Sequence, residues 1–102
     1  MSKVFISQEV NAVDYAPATQ FGDLVFVSSV MDRLSPYTQS LNNEAILNKI
    51  TNRLMDFDPE NDYLICTGAP AHMAMCGSIL GKRLRRLLVW DSREGKYFVA
   101  KL

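Results

Sequence analysis

The residues best suited to chemistry are Thr67-Gly68-Ala69-Pro70, a turn that joins a short apolar run to a helix starting at proline. In nucleotide-binding α/β folds such a turn points backbone N–H groups at a phosphate. Ser28 and Ser29 end an earlier apolar run and would reach the same edge of a parallel sheet. Ser28, Ser29, Thr67, Gly68 and Ala69 are therefore the candidate ligand site. Its chemistry is incomplete. Neither a G-x-G-x-x-G fingerprint nor a P-loop lysine accompanies the turn, and Pro70 removes one N–H that a phosphate would use. A tight structural connection is the plainer role for it.

His72 is the only histidine, which excludes a multi-histidine metal site. It stands four residues before Cys76, so the two share a helix face and could form a thiolate pair. Nothing nearby supplies an oxyanion hole or further ligands, and Cys66 is on a strand without C-x-x-C spacing, so buried structural thiols are expected. Lys82, Arg83, Arg85 and Arg86 are the sharpest basic patch and could meet phosphate backbones. Cations after a helix C-terminus also complement its dipole, which is the simpler account. Asp56, Asp58 and Glu60 alternate like calcium ligands but lack the glycine and closing glutamate of an EF-hand loop. No catalytic triad can be assembled. The expectation is a non-enzymatic protein with no metal and no cofactor.

These groups must be positioned by a small α/β domain. Lys3 to Ser7 reads as a first strand, and Ala16 to Phe21 as one helical turn with Gly22 as a left-handed stop. Asp23 to Ser29 is a nearly continuous apolar run, as expected of a strand buried on both faces. The polar, proline-containing segment from Val30 is a long loop, either mobile or an interaction surface, with Leu34, Tyr37 and Leu41 as apolar anchors. Ile46, Leu47, Ile50, Leu54 and Phe57 recur at helical spacing, with Asn42 or Asn43 as cap and Asp58-Pro59 as the end. Asp62 to Thr67 is a buried strand. Pro70 to Leu80 is a second helix stopped by Gly81, its Ala71, Ala74 and Ser78 forming a small-residue stripe suited to lie against a sheet. Two last strands flank a glycine-ended hairpin turn. The order β-β-α-β-α-β-β predicts a single Rossmann-like domain over residues 1–102, with central parallel strands and a C-terminal antiparallel hairpin.

The totals agree with this reading. A chain of 102 residues with 48% apolar and 22% charged residues is an ordinary globular domain. Eleven basic and eleven acidic residues cancel, which argues against nucleic-acid or membrane attachment through net charge. No run is long enough to span a bilayer, and the first residues lack a signal-peptide core. Two cysteines without secretory features predict reduced thiols in a cytoplasm.

Four segments carry a resemblance: Tyr15-x-x-Ala18-x-x-Phe21-Gly22, Asn61-Asp62-Tyr63-Leu64-Ile65, Thr67-Gly68-Ala69-Pro70, and Trp90-Asp91 with Tyr97. Together they resemble a family of small proteins of tailed bacteriophages. The family pattern has an aspartate before the proline, where this chain has Ala69. The resemblance implies a phage origin and a role in the host-cell cytoplasm, and it implies no activity. The leading expectation is an accessory protein that binds a host or phage macromolecule, as a small homo-oligomer, through the hairpin edge. The alternative is a nucleotide- or phosphate-binding module built on the Thr67–Pro70 turn.

Overall fold

Val4, Phe5 and Ile6 are almost wholly buried, and because successive strand residues point to opposite faces they feed two separate cores. That makes β1 (Lys3–Ile6) an interior strand packed on both faces. The computed structural model describes residues 2–36 and 41–102. After β1 come a 3-10 helix (Ala16–Phe21), β2 (Asp23–Phe26), α1 (Leu41–Leu54), β3 (Tyr63–Ile65), α2 (Pro70–Leu80), a short 3-10 turn (Gly81–Arg83), β4 (Arg86–Asp91) and β5 (Lys96–Lys101). The protein is a mixed α/β structure with one five-stranded sheet in the order β2-β1-β3-β4-β5. The first four strands are parallel, and β5 pairs antiparallel with β4 as the C-terminal hairpin. Among the described residues no helix is long and apolar enough to cross a membrane.

The chain steps one way from β1 to β2 and then the other way to β3 and β4. Crossovers of constant hand put connections of opposite direction on opposite faces. Accordingly α1 and α2 share one face, where Ile46, Ile50, Leu54, Cys76 and Leu80 pack on Phe5 and Leu64. The 3-10 helix lies on the other, where Tyr15 and Ala18 pack on Val4, Ile6, Ile65 and Leu88. Two turns of 3-10 helix cover far less sheet than two α-helices do.

Several expectations are corrected. The apolar run from Asp23 is a half-buried edge strand, not one buried on both faces, because β2 pairs only with β1 and has no strand on its other side. Helix α1 ends at Leu54, four residues before Asp58-Pro59. Its early Asn42 and Asn43 do not cap it: Asn42 Nδ2 donates to the Arg33 carbonyl at 2.8 Å, and the Asn43 carboxamide bonds the Ser35 backbone at 2.6 and 2.9 Å. Residues 33–35 are thus tied to α1. Leu34 packs against the core and Leu41 is exposed, while Tyr37 lies outside the described residues. Ala71, Ala74 and Ser78 face solvent; α2 meets the sheet through His72, Cys76 and Leu80 instead. Gly22 stops the 3-10 helix with φ 156° and ψ −178°, open to glycine but not left-handed helical.

Candidate functional site

A parallel sheet gathers the ends of its strands, and here β1, β2 and β3 bring Ser7 and Gln8, Ser28 and Ser29, and Thr67 and Gly68 together. The Ser7 hydroxyl donates to the Thr67 carbonyl at 2.7 Å and accepts the Thr67 N–H at 2.9 Å. The Thr67 hydroxyl donates to the Gln8 carbonyl at 2.7 Å and lies 2.8 Å from the Tyr15 hydroxyl, which accepts the Val10 N–H at 3.0 Å. Gln8 Oε1 accepts the Ala69 N–H at 2.7 Å, and its Nε2 donates to the Ser29 carbonyl at 2.9 Å. Strand order reverses between β1 and β3, the crevice where ligands gather in open α/β sheets. In this protein that crevice is filled by Gln8, Ser7, Thr67 and Tyr15.

Gly68 makes room for this packing. Its φ is +90°, and a Cβ there would lie 2.5 Å from Gln8 Cβ. Ser28 is buried, donates to the Ser7 carbonyl at 2.7 Å and sits 3.1 Å from His72 Nδ1. Ser29 gives its N–H at 2.8 Å and its hydroxyl at 3.3 Å to Asp32 Oδ2, which also pairs with Lys49 at 2.8 Å. The five residues singled out around the turn therefore do converge. Their polar groups bond one another and the backbone, and the helix-start N–H of Ala69 is held by Gln8. Ser7, Gln8, Tyr15 and Asp32 were missed. A polar residue directly after a buried strand, as at Ser7 and Gln8, is the signal that could have found two of them.

The basic patch lies at the other end of the sheet, near the starts of β3 and β4. Arg85 pairs with Glu60 at 2.6 Å, and Arg86 lies 4.8 Å over the Tyr63 ring. Arg83 Nη2 donates to the Ile79 carbonyl at 3.2 Å, and Lys82 is exposed. Both ions of the Arg85 pair are largely solvated, so the pair adds little stability. Asp58 orders the turn after α1 by accepting from the Asn61 side chain and the Glu60 N–H, and these bonds hold its carboxyl below the usual range. Asp56 and Glu60 stay exposed. Among the described residues no group of three or more His, Cys, Asp and Glu side chains could hold a metal.

Two hollows flank the filled crevice. On the helix side, a cleft of about 510 Å³ lies between residues 30–34 and the start of α2, with Gln8, Asp32, Ala71 and His72 in its wall. Burial pushes the His72 ring below its ordinary pKa, against a smaller upward pull from Asp32. On the 3-10 side, a groove of about 600 Å³ runs between residues 12–17 and the hairpin, lined by Val13, Pro17, Ile65, Leu88, Trp90 and Tyr97. Trp90 stands edge-on to Tyr97 at 5.0 Å between centroids and is 47% exposed. Cys66 opens beside this groove, its thiol pushed up by partial burial, while Cys76 is sealed in the core and pushed up to about 12.

Several of the aromatic positions that carry the sequence resemblance lie on this second face. Phe21 stands edge-on to Tyr63 at 5.6 Å, Tyr15 meets Thr67, and Trp90 meets Tyr97. Asp62 accepts the Lys3 N–H and the Asp58 N–H, each at 2.8 Å, clamping β1 to β3. These features define a small protein of mixed α/β fold. The chain belongs to the family described as Phage Pam3 gp32-like protein, which matches it over residues 2–102. No curated protein and no solved structure matches it.

Proposed function

We propose that the protein is a phage accessory protein that acts by binding a phage or host protein, without catalysis, through the groove beside the β4–β5 hairpin. Trp90 carries this reading. A half-exposed indole braced by Tyr97 at the rim of an apolar groove is the kind of rigid anchor that dominates protein interfaces. Phe98, 45% exposed, adds apolar surface on the opposite face of the same hairpin. Beyond it β5 is the outermost strand, and an extended partner segment, or a second copy in a homo-oligomer, could pair there. The strand order supports a Rossmann-like description with a reversed last strand. The family membership supports action in the host-cell cytoplasm. The phosphate-binding alternative draws less support, because the Ala69 N–H and the Thr67 and Ser28 hydroxyls already have internal partners.

The test places a photo-crosslinking residue at position 90 of a tagged copy produced during phage infection, with position 52 on exposed α1 as the control. One protein joined from position 90, absent from position 52 and weakened by Val13→Ser in the groove wall, is the expected result. Equal labelling from both positions would end the proposal.

A further inference from the structure

The cleft on the helix side contains a buried group whose hydrogen bonding is half complete. His72 is 1% exposed, and its Nδ1 lies 3.1 Å from the Ser28 hydroxyl. That hydroxyl has one proton and a shorter contact, 2.7 Å, to the Ser7 carbonyl, which can only accept. If the proton faced His72 instead, two oxygens carrying only lone pairs would abut inside the core. The Ser28 proton therefore goes to Ser7, and Nδ1 carries the imidazole proton and donates to Ser28. Nε2 is left with a lone pair. Among the described residues it has no hydrogen-bond partner, yet no buried side-chain nitrogen or oxygen is sealed in without one. Nε2 thus keeps contact with the cleft that His72 lines.

The rest of the wall tells what would fit. Asp32 uses one carboxylate oxygen for Ser29 and Lys49, and only accepts. Glu9, also in the wall, is another acceptor, and Arg33 stands in the same wall as a cation, so that with Lys49 paired to Asp32 these four charges sum to zero. At the start of α2 the Ala69 N–H is held by Gln8, Pro70 has no N–H and the His72 N–H returns to the Ala69 carbonyl, which leaves few helix-start donors for an anion. Val10, Val30, Leu34 and Ala71 make the remaining surface apolar. We propose that this cleft binds a small neutral molecule with an apolar body and an N–H or O–H donor, such as an amide or alcohol, which hydrogen-bonds Nε2 of His72. The site is separate from the hairpin groove, and it stands or falls independently of the protein-binding reading.

The single histidine makes the measurement direct. In the 15N-labelled protein, two-bond correlations assign the proton to Nδ1 or Nε2 and report what happens at each nitrogen. Benzamide, benzyl alcohol and benzoate are titrated separately; benzoate has the shape of benzamide but carries charge and no donor. The expected result is Nε2 unprotonated in the free protein, shifting saturably with benzamide and benzyl alcohol but not with benzoate. The shift should vanish in Ala71→Phe, which fills the cleft from an exposed first-turn position and leaves the Ser28 contact in place. A proton on Nε2, no shift with either neutral probe, or an equal response to benzoate would each overturn the proposal.

Discussion

Gly68 and His72 carry the sharpest consequences at the scale of single residues. Gly68→Ala meets both a positive φ and the Gln8 side chain, so a loss of about 2 kcal/mol or more is expected, a fall in Tm of roughly 8 °C or more. Thermal unfolding of the variant measures it, and an unchanged Tm would show that Gln8 can move aside. His72 ties stability to pH. Burial lowers its folded pKa below the ordinary 6.5, so the unfolded chain takes up a proton first as pH falls. The contribution is complete above 6.5 and is lost as pH drops through the folded value. Asp32 acts lower down. Burial pushes its carboxyl up, but the hydrogen bonds from Lys49 and Ser29 and the Lys49 charge outweigh that, so its net shift is below 3.8. Its share is present above 3.8 and lost as pH falls further. Urea midpoints should therefore decline in two stages on acidification, and His72→Gln should flatten the first.

The elements differ in how local their logic is. Helix α2 has the predicted bounds because proline in its first turn and glycine after its last are signals written next to each other in the chain. Its buried face was not legible in the same way. Alanines and a serine can lie against a sheet or face water, and only the position of α2 on the sheet decided for His72, Cys76 and Leu80. Gly77 has nothing within 4 Å of where a Cβ would be, so Gly77→Ala should stabilise by about 0.5–1 kcal/mol, read as a raised denaturation midpoint. The opposite sign is expected on the neighbouring helix, where Leu54→Ala empties a fully buried site of α1 and should cost about 2–5 kcal/mol. Thiol labelling checks the packing of α2 independently: iodoacetamide should modify Cys66 in the folded protein and Cys76 only after unfolding.

The whole molecule is shaped by its strand order. With β3 at the centre, the two open edges fall on β2 and β5, and the lysines at both ends of β5 blunt the second of them. Replacing Lys96 and Lys101 with valine should raise concentration-dependent association in light scattering; a double variant that stays as dispersed as the parent would show that the charges do not guard this edge. The hairpin groove has the same origin. Because the β1-to-β2 connection forms only one 3-10 helix, the sheet ends near Trp90 and Tyr97 stay uncovered on that face. The sequence by itself determined the apolar runs, the proline and glycine punctuation, the order of strands and helices, and the phage-family motifs, since each depends on near neighbours in the chain. Tertiary structure alone decided that the short first strand lies inside the sheet and the apolar run from Asp23 at an edge. It also decided that the hydroxyls near the Thr67–Pro70 turn bond the backbone and one another, while Nε2 of His72 has no partner among the described residues. Those outcomes depend on contacts between residues up to 61 positions apart, such as Gln8 with Ala69, which no local pattern encodes.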